Sequence, residues 1–183
     1  MTEISKEIAG ANANPELDSK GKVVEDIEDH MTAKGYRVVE VDSQRPWGAY
    51  IKFDNSQADA FVADFFPGLD ISEARLGDNT VELSPKILIV SPGQRLSWQY
   101  HNRRAERWSF LTDGSCERSN TDQEGEVLSL KAGESIQFKP AERHRLVGLP
   151  DSYTFVAEIW QHTDPNNLSD EDDIVRLDDD YSR

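Results

Sequence analysis

The stretch PGQRLSWQYHNRRAERW, residues 92 to 108, carries the clearest turn and strand signals of the chain. It opens with a Pro-Gly pair, which predicts a tight turn. Residues 97–101 then predict a strand, and because side chains alternate across a strand, Gln99 and His101 are expected on one face. Glu106 follows a short bend rich in Asn and Arg and begins, or lies within, the next strand. Two adjoining strands therefore bring a Gln, a His and a Glu together.

The residue pattern from Val81 onward is typical of an all-β domain. Short runs rich in Val, Ile, Leu, Phe and Trp recur, and the spacing of roughly 8–12 residues is typical of a sandwich or barrel. The breaks between these runs are Ser91-Pro92-Gly93, Asp113-Gly114, Glu124-Gly125, Ala132-Gly133 and Pro150-Asp151. The sequence therefore predicts an antiparallel β architecture for this part of the chain.

The N-terminal part has a different pattern. Residues 1–16 are polar without a clear period and predict a loose arm. Residues 17–34 carry an apolar stripe at helical spacing, which predicts a helix that ends at Gly35. Residues 36–42 alternate like a strand, and residues 56–66 predict a short helix.

Composition limits the classes of function. Thirty-five acidic residues against 20 basic ones give a net charge of −15, which argues against a nucleic-acid partner. An acidic protein with two acidic ends and a protein of a high-salt habitat both fit this charge. No apolar run approaches the roughly 20 residues that a membrane span needs, so no membrane partner is expected. Cys116 is the single cysteine and no signal-peptide core is evident, so we expect a cytoplasmic protein without an intrachain disulfide.

A fourth polar candidate, His144, lies far along the chain in KPAERHRL. Imidazole nitrogen, carboxylate oxygen and amide oxygen together suit a borderline divalent cation. A His and a Glu five residues apart with a distant second His is nevertheless a weak pattern, because a single His on a strand is more often a hydrogen-bonded structural residue. From the residues alone, these side chains could form either a metal site or a structural hydrogen-bonded cluster.

Several motifs, in order, give the sequence a recognisable likeness. They are RPWG at Arg45–Gly48, Lys86 before a strand, PGQRLS, Gln-x-His with Arg-Ala-Glu-x-Trp at Arg104–Trp108, GES at Gly133–Ser135, HRL at His144–Leu146, and the ending EDDIVRLDDDYSR. This pattern resembles the cupin domain of type II mannose-6-phosphate isomerases. The resemblance covers residues 86–183 and a short piece upstream.

The resemblance implies an all-β cupin fold, a double-stranded β-helix or jelly-roll barrel, with a short helical N-terminal extension. We expect a polar arm and helix at 1–35, the cupin β-barrel at 36–163, and an acidic C-terminal tail that packs on the barrel at 164–183. Carried over position by position, the metal ligands are Gln99, His101, Glu106 and His144. The expected cofactor is a divalent metal, zinc first, with manganese, cobalt, nickel or iron as alternatives.

Further roles follow from the same likeness. Lys86, Glu158 and Arg176 are catalytic candidates, and Arg45 and Arg104 are candidates for binding the substrate. Each residue has an alternative role. Lys86 could be a surface lysine, Arg104 could form an ion pair with a local acid, and Glu158 could face away from the site. Arg45 and Arg176 could instead hold the ends of the chain against the domain.

The sequence also departs from the family pattern. Arg107 stands where the family often has a histidine, in Glu-His-Trp, so a catalytic or substrate-binding histidine is expected to be missing. The gap between Glu158-Ile159-Trp160-Gln161 and EDDIVR is longer by about four residues, and Ser182 replaces a terminal glycine. These departures predict an intact set of metal ligands and an altered substrate end of the pocket.

The resemblance implies a metal-dependent aldose–ketose isomerase of mannose-6-phosphate and fructose-6-phosphate in nucleotide-sugar and polysaccharide biosynthesis. An isomerase of another sugar phosphate, such as a heptose phosphate, is a variant of this hypothesis. A non-catalytic sugar-binding or regulatory cupin is a second hypothesis, and a metal-dependent oxygenase is a third. The expected partners are a small sugar phosphate and a second copy of the chain, since edge strands must be covered.

Overall fold

The computed structural model of the protein describes residues 1–10 and 19–181. Within these ranges the helices are α1 (Glu3–Gly10), α2 (Lys20–Ala33), α3 (Ala58–Phe65) and α4 (Ile71–Ala74), with a 3₁₀ turn at Asn55–Gln57. The strands are β1 (Val38–Asp42), β2 (Gly48–Phe53), β3 (Lys86–Val90), β4 (Trp98–Tyr100), β5 (Arg104–Phe110), β6 (Gly114–Ser119), β7 (Glu126–Leu130), β8 (Ser135–Phe138), β9 (Arg143–Val147), β10 (Thr154–His162) and β11 (Val175–Asp178).

The strands form two antiparallel sheets. Sheet one has the order β1-β2-β3-β10-β5-β8, and sheet two has the order β11-β4-β9-β6-β7. Neighbours in each sheet are far apart in sequence, as when β10 lies between β3 and β5. The all-β class predicted from the sequence is thus confirmed, and the last strand of the chain joins sheet two beside β4.

Strand β3 shows how sheet one divides the hydrophobic interior in two. All five residues of its sequence KILIV are buried, as expected for a strand covered on both faces. Ile87 and Ile89 pack in one cluster with the helices, whereas Leu88 and Val90 pack in the other, between the sheets. Because Lys86 has the parity of Leu88, it faces the space between the sheets.

The helices cover the outer face of sheet one. Helix α2 buries a stripe of Val23, Val24, Ile27 and Met31, and Ser19 caps its start by accepting a hydrogen bond from the backbone N–H of Lys22. The predicted helix is therefore confirmed, and Gly35 follows its end at φ 91°, a conformation that glycine adopts without strain. No described helix has both the length and the apolar content that crossing a membrane requires.

The predicted loose arm is wrong for residues 3–10, which form α1. Ile4 and Ile8 lie one helical turn apart and are 6% and 0% exposed, so this short helix forms because it packs against the body of the protein. Residues 11–16 of the predicted arm, residues 17 and 18 of the predicted helix, and Ser182 lie outside the described residues.

Candidate metal centre and its cavity

A cavity of about 320 Å³ opens between the two sheets. Its walls include eight of the nine residues selected from the sequence, namely Arg45, Lys86, Gln99, His101, Arg104, Glu106, Glu158 and Arg176. The ninth, His144, is buried directly beside it and contacts Glu106. Residues from distant parts of the chain thus converge on one space, as the sequence predicted.

Both sheets contribute to the candidate metal centre. Gln99 on β4 pairs directly with His144 on β9 in sheet two, and Glu106 reaches across from β5 of sheet one. His101 follows the last residue of β4. Glu106 Oε1 lies 3.0 Å from His101 Nε2, and Glu106 Oε2 lies 3.2 Å from His144 Nε2. The ligating atoms of these three side chains all lie within 4.8 Å of one another.

Hydrogen bonds orient both histidine rings. The Nδ1 atom of His101 lies 2.5 Å from the carbonyl oxygen of Asp173, and that of His144 lies 2.9 Å from the carbonyl oxygen of Glu142. A carbonyl oxygen can only accept, so each Nδ1 carries the hydrogen and a neutral ring turns the lone pair of Nε2 toward Glu106. This is the way in which proteins orient metal-binding histidines.

The donor set fits a divalent cation. Two imidazole nitrogens and a carboxylate face one another in a buried space, an arrangement that a divalent cation among them would stabilise. Burial works to raise the pKa of Glu106, but His101 and Arg104 outweigh it and hold this pKa well below its ordinary value. Glu106 therefore carries its charge, as a metal ligand must. Gln99 Oε1 accepts a hydrogen bond of 2.7 Å from the Ser97 hydroxyl.

Arg104 is held tightly at the edge of this cluster. Its Nε and Nη2 atoms donate to Glu106 Oε1 at 3.1 and 3.0 Å, and its Nη1 donates to the Ser169 hydroxyl at 2.9 Å. The guanidinium also lies 4.2 Å from the centre of the Trp160 ring. The ion pair with a local acid is thus present, and it fixes the position of the Glu106 carboxylate.

The pairing of β10 with its neighbours places the Glu158 side chain on the inner face of sheet one. Glu158 on β10 lies opposite Lys86 on β3 and opposite Trp108 on β5, so the three side chains share the inner face of sheet one. Trp108 Nε1 donates to Glu158 Oε2 at 3.0 Å. Burial, and then the negative charge of Glu106, raise the pKa of Glu158 to about 7.

The two arginines of the family motifs lie toward the cavity mouth. Arg45 forms an ion pair of 2.7 Å with Asp42 and lies 5.6 Å from the centre of the Tyr50 ring. Arg176 on β11 lies opposite Gln99 in sheet two and lines the cavity. The substrate-binding role of Arg45 and the catalytic role of Arg176 remain predictions.

The expected loss of a histidine from the pocket at position 107 is not what the structure shows. Glu106 and Trp108 face inward, so Arg107 points to the outer face of sheet one, where its Nη2 donates to Gln137 Oε1 at 2.6 Å. Arg107 instead lines a separate cavity of about 350 Å³ beside α1 and α3. This departure from the family pattern therefore leaves the pocket itself unchanged.

Sequence reasoning missed other residues at the site, among them Lys52, Trp160, Glu171 and Asp173. Lys52 is opposite Lys86 in sheet one, and Trp160 is opposite Glu106. For Lys52 and Trp160, the alternation of side chains along a strand was the available signal. Lys52 is two residues from Tyr50 on β2 and Trp160 is two residues from Glu158 on β10, so each pair shares a face of the sheet.

Comparison with known proteins gives one family match. The sequence model described as mannose-6-phosphate isomerase C-terminal matches residues 76–179. The xanthan biosynthesis protein XanB of Xanthomonas campestris pv. campestris strain B100 is 30% identical over 139 residues, or 76% of this chain and 23% of XanB. The same protein of strain ATCC 33913 is 29% identical over 139 residues. The chain thus spans less than a quarter of the length of these curated relatives.

Among solved structures, the capsular polysaccharide assembling protein CapF from Staphylococcus aureus matches with a TM-score of 0.51 at 13% identity. The match covers 78% of this chain and 35% of CapF. At this identity the likeness concerns the fold alone, and it agrees with two facing antiparallel sheets. The predicted cupin fold, a double-stranded β-helix with a short N-terminal helical extension, is confirmed.

Proposed function

The chain belongs to the mannose-6-phosphate isomerase C-terminal family, and on that premise we propose that it is a metal-dependent sugar-phosphate isomerase. The proposed reaction interconverts mannose-6-phosphate and fructose-6-phosphate for polysaccharide biosynthesis. The observation that carries the proposal is the buried cluster of His101, Glu106 and His144 beside a cavity that also holds Glu158 and Lys86.

An aldose–ketose isomerisation moves a proton between C1 and C2 of the sugar while negative charge develops on the neighbouring oxygens. His101, Glu106, His144 and Gln99 would hold the metal, zinc first among the candidates. When bound, a divalent cation supplies Lewis-acid stabilisation of that charge. The walls of the cavity would hold the sugar close to the cluster.

Glu158 is the proposed base. A group that both takes and returns a proton works best with a pKa near the working pH, and the pKa of Glu158 is about 7. Its Oε2 atom is held by Trp108 Nε1, which leaves the other oxygen to face the cavity. In this proposal Glu158 carries the proton between the two carbons.

Cations recognise the phosphate and the sugar hydroxyls. Lys86 lies opposite Glu158 and supplies positive charge next to the base. Arg45 and Arg176 line the same cavity and can contact the substrate as it enters. Arg104, whose donors are occupied by Glu106 and Ser169, serves the substrate by positioning Glu106.

The competing hypotheses have less support. The sugar-binding cupin without activity rests on Arg107 and on the longer segment after Glu158. Arg107 lies on the opposite face from the cavity, whereas the segment contributes Glu171 and Ile174 to its walls. Two histidines and a carboxylate also suit non-haem iron, so the family match, rather than the donor set, is what disfavours an oxygenase. Another sugar phosphate, such as a heptose phosphate, would use the same residues and belongs in the same assay.

The test is turnover of mannose-6-phosphate, with a heptose phosphate in parallel. The full chain is assayed with Zn²⁺, Mn²⁺ or Co²⁺ and again after chelation. We expect metal-dependent turnover that His101→Ala abolishes and that His30→Ala, on helix α2 away from the cavity, leaves intact. Thermal melts of both variants check folding. A folded wild type with about one metal per chain and no turnover of either sugar would refute the proposal.

A further inference from the structure

Two lysines lie side by side on the inner face of sheet one. Lys52 on β2 and Lys86 on β3 are directly opposite each other, and their side chains are 16% and 10% exposed. Lys86 Nζ lies 4.9 Å and Lys52 Nζ 6.0 Å from the centre of the Trp160 ring. Two ammonium groups of the same sign at this depth require negative charge beside them.

Two carboxylates supply that charge. Glu82 Oε1 lies 2.9 Å from Lys52 Nζ alone, whereas Glu171 contacts both lysines. Glu171 Oε1 lies 3.0 Å from Lys52 Nζ and 3.1 Å from Lys86 Nζ, and Oε2 lies 3.1 Å from Lys86 Nζ. The hydroxyl of Ser84 also donates to Glu171 Oε1, at 3.2 Å. Burial works to raise the pKa of Glu171, but the two lysines outweigh it and lower this pKa, so the carboxylate is ionised.

The donors around Glu171 are those that phosphate oxygens also use. Ammonium and hydroxyl groups bind carboxylate and phosphate alike, because both are compact oxyanions. Ser84 is fully buried and has a φ of 47°, in the left-handed region that residues other than Gly, Asn and Asp seldom adopt. Such strained residues cluster at ligand sites.

The Glu171 side chain lies where it can rotate away from the two lysines into solvent. Its side chain is 56% exposed, in contrast to the two lysines that it contacts. It belongs to the segment 163–174, which connects β10 to β11, and it lines the cavity mouth together with Ile174. Rotation of this side chain toward solvent would free Lys86 and Ser84 and leave Lys52 paired with Glu82 alone, without moving a strand.

We propose that Lys52, Lys86 and Ser84 form a phosphate subsite at the border of the cavity, which Lys86 and Glu171 line, and that Glu171 is an internal competitor that occupies this subsite until a phosphate-bearing substrate displaces it. The proposal rests on the proposed function for the identity of the substrate. It makes the Glu171 carboxylate a determinant of substrate affinity: an incoming phosphate must replace two ion pairs before it gains its own.

The test measures binding of inorganic phosphate by isothermal titration calorimetry, which needs no turnover. The full chain is loaded with zinc, freed of excess metal and titrated at low ionic strength. We expect Glu171→Gln to bind phosphate about threefold to tenfold more tightly, since each partly exposed ion pair contributes modestly. Lys52→Met should weaken binding by about tenfold or more.

Asp170→Asn is the matched control. Asp170 precedes Glu171 but pairs with Arg103 outside the cavity, so its removal changes the charge of the segment without touching the subsite. It should leave phosphate affinity unchanged. The tightening in Glu171→Gln should persist in metal-free protein, because the subsite contains no candidate metal ligand. Thermal melts confirm that each variant is folded.

The outcomes separate the two proposals. Unchanged or weaker phosphate binding by Glu171→Gln overturns the subsite, and so does a tightening that appears only when zinc is present. If Glu171→Gln binds phosphate more tightly but no sugar phosphate is turned over, the subsite stands and the isomerase fails. If turnover is found while the KM for mannose-6-phosphate and the phosphate affinity are the same in wild type and Glu171→Gln, the isomerase stands and the subsite fails.

Discussion

Four side chains form a row across the inner face of sheet one, in the order Lys52, Lys86, Glu158 and Trp108. Glu158 is 7% exposed and lies between a cation and an indole N–H that donates to it. Burial opposes its ionised form, while Lys86 and the indole favour it. The balance leaves a carboxyl group that can change its protonation state near neutral pH.

This balance predicts a large kinetic effect of Glu158→Gln. We expect kcat to fall by about 10²–10⁴, which is the usual contribution of a positioned base, with zinc affinity nearly unchanged. The measurement combines steady-state turnover with metal content for the variant and for Glu126→Gln, a control on the edge strand β7. Zinc loss in Glu158→Gln, or kcat within threefold of wild type, would speak against the assigned role.

Glu158 also predicts a pH dependence of stability. Its folded pKa of about 7 lies above its ordinary value of 4.5, so the folded state binds this proton more tightly than the unfolded state does. The contribution of Glu158 is therefore most favourable below pH 4.5 and is lost as the pH rises toward 7. In metal-free protein, Glu158→Gln should gain melting temperature relative to wild type between pH 5 and 8. A constant difference across that range would contradict this prediction.

At the scale of single residues, the sequence predicted which side chains belong to the candidate site but not which side chains they contact. The alternation of strand 97–101 correctly put Gln99 and His101 on one face, and family motifs pointed to His144 and Glu106. The engagement of Arg104 with Glu106 depends on tertiary contacts that no local pattern encodes. The inward direction of Glu158 depends on the register of β10, which a single sequence leaves open by one residue.

At the scale of elements, the segment 163–174 connects the metal cluster to the last strand. Asp173 is 5% exposed, and its carboxylate accepts hydrogen bonds from the backbone N–H groups of Asn102 and Arg103 at 2.9 and 3.0 Å. Its own carbonyl oxygen lies 2.5 Å from His101 Nδ1. The segment therefore fixes both the turn after β4 and the orientation of a candidate ligand.

Asp173→Ala should weaken both the turn and the metal site. We expect a loss of about 1–2 kcal/mol in the free energy of unfolding, because two backbone N–H groups of a partly buried turn lose a charged acceptor. Alanine keeps the carbonyl oxygen that contacts His101, but the loosened turn no longer fixes its position, so zinc affinity should fall up to about tenfold. Denaturant unfolding and zinc competition measure the two effects. The neighbouring, exposed Asp172→Ala is the control, and equal effects of both variants would contradict the assigned role.

Elements were predicted well where periodicity was strong. Helix α2 and the β-rich half of the chain followed their apolar patterns, whereas α1 did not, because two isoleucines in a polar stretch are too few to predict a helix. The stability of α1 comes from packing on the protein rather than from its own sequence. The short helix α4 was not predicted for the same reason, since its four residues contain a single buried side chain.

At the scale of the whole molecule, one of the two edges of sheet one exposes neighbouring apolar side chains. Strand β1 is that edge, and Val39 and Val41 on it are 51% and 37% exposed. Exposed apolar side chains on an unpaired edge favour association with another strand. We therefore expect a homodimer in which β1 lies at the contact between copies.

Sedimentation velocity of the purified chain tests this expectation. The wild type should sediment as a dimer at micromolar concentration, and the double change Val39→Lys with Val41→Lys should convert it to a monomer with an unchanged circular dichroism spectrum. Val127→Lys, on the edge strand β7 of sheet two, is the control and should remain dimeric. A monomeric wild type, or a dimer that survives the double change, would show that β1 does not form the contact.

In the proposed function, the cavity moves a proton on a sugar phosphate with the help of a metal at His101, Glu106 and His144. Proton NMR of mannose-6-phosphate in D₂O with zinc-loaded protein tests it most directly. The account predicts deuterium at C2 of mannose-6-phosphate together with formation of fructose-6-phosphate, and neither with His101→Ala. Mannose-6-phosphate that saturates the zinc-loaded protein yet keeps its C2 proton and forms no ketose would contradict the account.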